Sequence, residues 1–148
     1  MADDESKLFS LAEAERLRAQ LEPVLVESME SRRKLAELDD KLSELATRIA
    51  RAGGMLVPYD DAANLRLARN RQEEDLRALL ERIHSTGCVV KDLDIGLLDF
   101  PARMNGEEVY LCWRLGEDRI RFYHRQDEGF AGRKPIDPRD AGYNSPVQ

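Results

Sequence analysis

Apolar and small residues recur at alternating intervals of three and four between residues 14 and 52. This spacing places them along one face of a helix and is the seam pattern of a coiled coil. Ser10 and Glu13 form a capping-box pattern that marks the helix start, and Gly53-Gly54 marks its end. Pro23 removes one backbone donor, so we expect a kink or a break there. The stripe consists of Ala14, Leu17, Leu21, Val24, Ser28, Ser31, Leu35, Leu38, Leu42, Leu45, Ile49 and Ala52.

A second striped helix is predicted over residues 61–86, with Asp60 or Asp61 as its cap. Because the loop between the two helices is short, they are expected to pack as an antiparallel helical hairpin. At about 1.5 Å per residue, the first helix is about 60 Å long and the second about 38 Å. The second helix therefore leaves the stripe around Leu17 and Leu21 uncovered, and we expect the rest of the chain to pack there.

The hydrophobic period changes from that of a helix to that of a strand after Gly87. Asn105-Gly106 between two strand-like runs is a preferred two-residue hairpin turn. Pro101 cannot donate to a sheet ladder, which predicts an edge strand or a bulge at that residue. These signals predict a small antiparallel sheet of three or four strands.

Together the elements predict an α+β fold in which the sheet packs on the N-terminal third of a long, kinked first helix. The expected organisation is a flexible N-terminus at 1–9, a coiled-coil-like helical hairpin at 10–86, a β region at 87–136 that shares a core with the first helix, and a flexible tail at 137–148.

The composition excludes several classes of partner. The net charge is −6 and neither half of the chain is basic, so binding to nucleic acid phosphates has little electrostatic support. No stretch approaches the roughly 18 apolar residues that span a bilayer, and the acidic N-terminus is not a signal sequence. The two cysteines do not make a disulfide framework. We therefore expect a cytoplasmic protein with free thiols that binds neither nucleic acid nor membrane.

Asp99 and His124 are the candidate catalytic residues. His124 alternates with Ile120 and Phe122 along a predicted strand, so its imidazole is expected to point into a half-apolar environment and to need a partner. A carboxylate would orient and charge it, as in general acid-base catalysis. The alternative is that Asp99 bonds nearby amides and His124 is an ordinary strand-end residue. No recognisable catalytic motif is present, so the sequence does not decide whether the protein is an enzyme.

A second candidate is an anion-binding pocket. Lys91 and Arg133 supply positive charge, and the glycine-spaced loop from Gly129 to Gly132 supplies backbone amides that can surround an anion. The alternative is that the two cations form salt bridges with neighbouring acidic residues, Asp92, Glu117 or Asp127.

A metal site is the third candidate. The residues with zinc-binding side chains are His84, Cys88, Cys112 and His124. Their spacing matches no common zinc motif, so we expect no metal and no cofactor.

Three motifs resemble an uncharacterised bacterial family, a domain of unknown function. They are Gly87-x-Val89-x-Lys91-Asp92, Gly96-Leu97-x-Asp99-Phe100-Pro101 and Tyr110-Leu111-Cys112-Trp113-x-x-Gly116-Glu117. The resemblance runs from about Phe9 to Ile136 and continues through His124 and the Gly129–Arg133 loop. The family pattern more often has Trp where this chain has Tyr123. The resemblance implies a leading helical region and a trailing β region, with no established activity.

The leading functional hypothesis is a structural or protein-interaction module that acts as a helical homodimer through the heptad stripe. The alternative is a small-ligand binding protein, or an enzyme, with a pocket around Asp99, His124, Lys91 and Arg133.

Overall fold

The computed structural model describes residues 7–53 and 59–137. Two helices come first, α1 (Leu11–Arg51) and α2 (Tyr59–His84). The strands that follow are β1 (Val89–Asp92), β2 (Leu97–Met104), β3 (Glu107–Arg114), β4 (Phe122–Arg125) and β5 (Lys134–Pro135), with a 3-10 turn at Phe130–Gly132. Within the described ranges these strands form one antiparallel sheet in the order β1-β2-β3-β4-β5. The predicted α+β fold is confirmed.

Helix α1 begins with the predicted capping box. Ser10 Oγ accepts from the Glu13 amide and Glu13 Oε1 accepts from the Ser10 amide, each at 3.0 Å. The helix continues through Pro23, so the break considered there is absent. Pro23 is exposed, which leaves water free to satisfy the carbonyl that the proline cannot bond. The helix ends at Arg51, and Gly53 takes the left-handed conformation with φ +71°.

Helix α2 lies antiparallel along α1, as predicted. Gln72 Nε2 donates to Ser31 Oγ at 2.7 Å, and farther from the sheet Arg69 pairs with Asp39 at 2.8 Å. Ser31 is buried, and its hydroxyl needs a hydrogen-bond partner there. Although this serine weakens the apolar stripe, it gives the two helices a specific polar contact.

The predicted cap of α2 is wrong. The helix begins at Tyr59, so Asp60 and Asp61 lie in its first turn, where their charge favours the helix dipole. Residues 54–58, which include Gly54 and most of the predicted loop, lie outside the described ranges.

The core forms where the sheet meets the N-terminal third of α1 and the C-terminal end of α2. Leu21 of α1 packs against one face of the sheet, as predicted, and Leu17 is partly buried there. Leu25 of α1 and Ile83 of α2 join the same cluster. The sheet residues in this cluster include Leu98, Phe100, Ala102, Val109, Leu111 and Trp113. These residues alternate along β2 and β3, so the other sheet face carries the residues between them.

The N-terminal segment joins the same core. Residues 1–6 lie outside the described ranges, but Phe9, placed with the flexible terminus, is 5% exposed. Its amide donates to the Pro101 carbonyl at 2.7 Å, and it bridges Ala102 in parallel orientation. Of the predicted tail, residues 138–148 also lie outside the described ranges.

Pro101 does not lie on an edge strand. Strand β2 is internal to the sheet, and Pro101 pairs in register with Tyr110 of β3, while the irregularity in pairing falls in β1. The proline is tolerated because β1 pairs only with residues 97–99. Beyond that pairing the neighbour of Pro101 is Phe9, whose amide donates to the Pro101 carbonyl. This contact uses only the carbonyl of the proline, so the missing N–H is not needed.

The sheet has five strands where three or four were predicted. The additional strand is β5, whose Lys134 and Pro135 pair with Tyr123 and Phe122 of β4. Strand β4 also starts later than predicted. Ile120 lies outside it because its amide donates to Glu15 on α1 at 2.9 Å and not to a strand.

Candidate functional site

The sheet brings Asp99, Cys112 and His124 together on the face away from the helices. Asp99 of β2 is the cross-strand partner of Cys112 of β3, and His124 lies on the next strand, β4. Directly opposed residues of an antiparallel pair project to the same face. The oxygen, sulfur and nitrogen atoms that these three side chains offer lie within 4.8 Å of one another. We refer to these residues as the Asp-His-Cys cluster.

Hydrogen bonds set the orientation of the His124 ring. Nδ1 lies 2.8 Å from the backbone carbonyl oxygen of Arg125, and Nε2 lies 3.0 Å from Asp99 Oδ2. Because a carbonyl oxygen only accepts, Nδ1 carries a proton and donates it to Arg125. The contact between Nε2 and Oδ2 then requires one further proton, on either the imidazole or the carboxyl group.

Burial controls the electrostatics of the cluster. His124 and Cys112 are 0% exposed and Asp99 is 1% exposed. Burial raises the pKa of Asp99, with His124 as the main opposing influence, and burial raises the pKa of the Cys112 thiol to about 12. The structure therefore joins the predicted pair, Asp99 and His124, but encloses it. The cluster can hold a proton or a small cation, whereas a substrate in solvent does not reach it.

Arg133 lies beside the cluster with its charge already paired. Its Nη1 and Nη2 atoms donate to the Glu117 carboxylate at 3.2 and 2.5 Å. The guanidinium carbon lies 4.0 Å from the ring centroid of Phe122 and 4.3 Å from that of Phe130. Nη1 is also 3.9 Å from Cys112 Sγ. Arg133 thus connects the segment of the 3-10 turn and β5 to Glu117 and Phe122. Its salt bridge with Glu117 is one of those that the alternative proposed.

The other predicted ligand-binding residues are less closely associated with the cluster. Lys91 is exposed on β1, and its positive charge lowers the pKa of Asp99. The Gly132 amide donates to the Gly129 carbonyl at 2.9 Å, and the Gly132 carbonyl accepts from Lys134 at 3.3 Å. This loop therefore uses part of its backbone hydrogen-bonding capacity internally. Anion binding by Lys91, Arg133, Gly129 and Gly132 stays a prediction.

Two residues of the predicted zinc set lie apart from the cluster. His84 is exposed in the last turn of α2, and Cys88 is 1% exposed within the hydrophobic core. Burial strongly raises the pKa of Cys88, and the negative charge of Asp99 raises it further. Only Cys112 and His124 of the four belong to the Asp-His-Cys cluster, in which Asp99 is the third member.

Sequence reasoning missed the proximity of Cys112 to Asp99, although a signal for it exists. The Asn105-Gly106 turn has two residues, so counting outward from it pairs Met104 with Glu107 and, five residues farther, Asp99 with Cys112. The register that this turn sets therefore predicts that the two side chains lie side by side.

The fold and the cluster define an α+β protein in which a two-helix arm is joined to a small sheet with a buried polar centre. The chain belongs to the family of uncharacterised conserved proteins DUF2203, whose family model matches residues 7–136. This confirms the resemblance to a domain of unknown function. Neither the curated proteins nor the solved structures contain a match to the sequence.

Among the described residues, neither helix combines the length and apolar character needed to cross a membrane.

Proposed function

We propose that this protein is a structural or protein-interaction module of the cytoplasm that acts as a helical homodimer. The part of the helix pair beyond the Ser31–Gln72 contact supports this proposal. We call this part the distal arm, and it comprises residues 32–53 and 59–71. In this arm only Leu45 and Ala62 are buried among the described side chains. Of the α1 stripe residues there, Ala52 is exposed, and four stay half-buried although α2 lies beside them: Leu35, Leu38, Leu42 and Ile49. Leu65 of α2 is half-buried as well.

Two helices alone cannot enclose a stripe of this width. A pair of helices has one line of contact, so residues on the edges of the seam stay open to water until a further layer covers them. A second copy presents the same stripe, and a twofold axis turns two hairpins into a four-helix bundle. Leu67 on α2 is 67% exposed and adds apolar surface to the distal arm.

The cytoplasmic location rests on the thiols. Cys88 and Cys112 are both free and buried, which suits a reducing compartment.

The alternative function is a small-ligand binding protein or an enzyme that uses Asp99, His124, Lys91 and Arg133. The 3.0 Å contact between Asp99 and His124 favours it. However, three grooves of the described surface, each larger than 400 Å³, are lined mainly by α1 and α2 residues and by none of these four. The enclosed pair and the salt-bridged Arg133 therefore give the interaction module the stronger support.

The mass of the purified protein in solution tests the dimer. Light scattering coupled to size exclusion should give twice the 16.9 kDa chain mass. Leu42→Glu places a charge in the half-buried stripe and should return the mass to that of one chain. Ser43→Glu is the matched control, because Ser43 is the exposed neighbour of Leu42 and lies outside the stripe. Circular dichroism should show unchanged helix content in both variants. A wild-type mass of one chain at all concentrations contradicts the proposal.

A further inference from the structure

His124 presents both ring nitrogens to acceptors. Nδ1–H donates to the Arg125 carbonyl at 2.8 Å, and Nε2, which carries a lone pair in the neutral imidazole, faces the Asp99 carboxyl oxygen at 3.0 Å. Two lone pairs at this distance repel unless a positive species lies between or beside them. A proton is one such species, and a metal ion is the other.

The surroundings of His124 match those of a metal-binding imidazole. Histidine ligands usually donate their second ring N–H to a backbone carbonyl or a carboxylate, which fixes the tautomer that coordinates the ion. Arg125 provides that carbonyl here. The nitrogen left for coordination is Nε2, and it points at the other two members of the Asp-His-Cys cluster.

The spacing of the donor atoms also fits. Bonds of roughly 2.0 to 2.3 Å to a tetrahedral zinc ion place its ligand atoms about 3.4 to 3.6 Å apart. The carboxyl oxygen, thiol sulfur and imidazole nitrogen of the cluster all lie within 4.8 Å of one another, with one pair at 3.0 Å. Small side-chain movements therefore convert this set into a coordination shell.

One atom of the cluster points independently to a ligand. Asp99 Oδ1 is buried, and it has no hydrogen-bond partner among the described residues. A buried carboxyl oxygen without a partner carries a free-energy cost that a bound cation would remove. A carboxylate that binds through both oxygens supplies two donor atoms. The cluster then offers four donors from three residues, in a distorted four-coordinate arrangement because the two carboxylate oxygens lie closer together than tetrahedral ligand atoms do.

The geometry points to a structural site for one zinc-type divalent cation, bound by Asp99, Cys112 and His124. Thiolate and imidazole ligands together select zinc over harder cations such as magnesium. Because the three side chains are 0 to 1% exposed, the ion is enclosed and holds β2, β3 and β4 together, without an open position for a substrate. The proposed site does not depend on dimer formation.

Charge balance supports the assignment. On binding, the Cys112 thiol and the Asp99–His124 pair each release one proton, so the ion enters as two protons leave. The site then contains a divalent cation, one thiolate, one carboxylate and a neutral imidazole. The adjacent Arg133 adds no net charge because it is paired with Glu117.

Cobalt(II) is the probe for this site. The full-length protein is treated with a chelator under reducing conditions, dialysed and titrated with cobalt. A thiolate-to-cobalt charge-transfer band should saturate at one ion per chain, and zinc should displace it. Cys112→Ser should lose the band. Cys88→Ser is the matched control, since it removes the other buried thiol and should keep the band.

If the Cys112→Ser variant does not fold, a second measurement on the wild-type protein and on Cys88→Ser still tests the site. Zinc should raise the melting temperature of the wild-type protein and of Cys88→Ser, and elemental analysis should find one zinc per chain. A wild-type protein that binds no cobalt and shows no zinc-dependent melting shift overturns the proposal, because the cluster then holds only a proton. Loss of the band in Cys88→Ser with retention in Cys112→Ser overturns the ligand assignment.

Discussion

The carboxylate of Glu15, in the second turn of α1, accepts a hydrogen bond from the backbone amide of Ile120 at 2.9 Å. Its other oxygen pairs with Arg18, whose guanidinium carbon lies 5.2 Å from the Trp113 ring centroid. Arg18 is also 3.4 Å from the Asp118 carbonyl oxygen. These contacts join the start of the long helix to the end of β3 and to the segment between β3 and β4.

Glu15→Ala should lower the free energy of unfolding by about 1–3 kcal/mol, since it leaves the Ile120 amide without its acceptor. Glu15→Gln should cost less, because the amide oxygen still accepts. The matched control is Glu22→Ala, which removes the other Arg18 ion pair, whose glutamate side chain is 42% exposed, and should cost less than about 1 kcal/mol. Urea unfolding measures all three. Equal losses for Glu15→Ala and Glu22→Ala would show that the Ile120 bond contributes nothing.

Gly96→Ala should destabilise the protein more than Gly106→Ala does. Both glycines have positive φ, +70° and +80°, so an alanine at either pays a conformational cost of about 1–2 kcal/mol. At Gly96 the added Cβ would also lie 2.8 Å from Leu115 Cβ and 3.2 Å from Met29 Sδ, whereas at Gly106 it meets nothing within 4 Å. The close contact adds about 1–3 kcal/mol. Chemical denaturation of both variants isolates this difference, and equal stabilities would contradict the tight packing.

Local signals predicted most of this fold, because the residues that determine each element lie close together in sequence. The Ser10–Glu13 capping box and the Asn105-Gly106 turn occur as predicted. Strand β5 has only two residues, and its partners lie on β4 eleven or more positions away. No periodic pattern can mark so short a strand, so its existence depends on tertiary pairing alone.

Ser10→Ala should lower the free energy of unfolding at neutral pH by about 1 kcal/mol, through loss of the cap to the Glu13 amide.

Glu13 makes a pH-dependent contribution to the stability of the same helix start. Its hydrogen bond to the Ser10 amide lowers its pKa from the ordinary 4.5. That stabilisation is therefore fully present above pH 4.5 and is lost as pH falls through the lower folded-state pKa. Thermal melts of wild type and Glu13→Gln should differ at pH 7 and converge in acid. A constant difference across this range would exclude the linkage.

The candidate site was only partly accessible to sequence reasoning. Strand alternation was enough to point His124 toward a half-apolar environment and to suggest Asp99 as its partner. Alternation does not say how deeply a strand face is covered, so burial of the pair required the structure. The position of Arg133 follows from its contacts with Glu117 and Phe122, which lie far from it in sequence and depend on how the loop folds back.

Asp99→Asn should be tolerated far better than Asp99→Ala in protein kept free of metal by a chelator. Because His124 Nδ1 donates to the Arg125 carbonyl, Nε2 remains an acceptor, and the side-chain amide of asparagine can donate to it in place of the shared proton. Alanine leaves that buried nitrogen without a partner and opens a cavity, at a cost of about 2–4 kcal/mol. Urea unfolding at neutral pH should place Asp99→Asn within about 1.5 kcal/mol of wild type. If both variants lose the same stability, the pair is instead a buried imidazolium-carboxylate ion pair, since an uncharged asparagine would then leave the imidazolium charge without compensation.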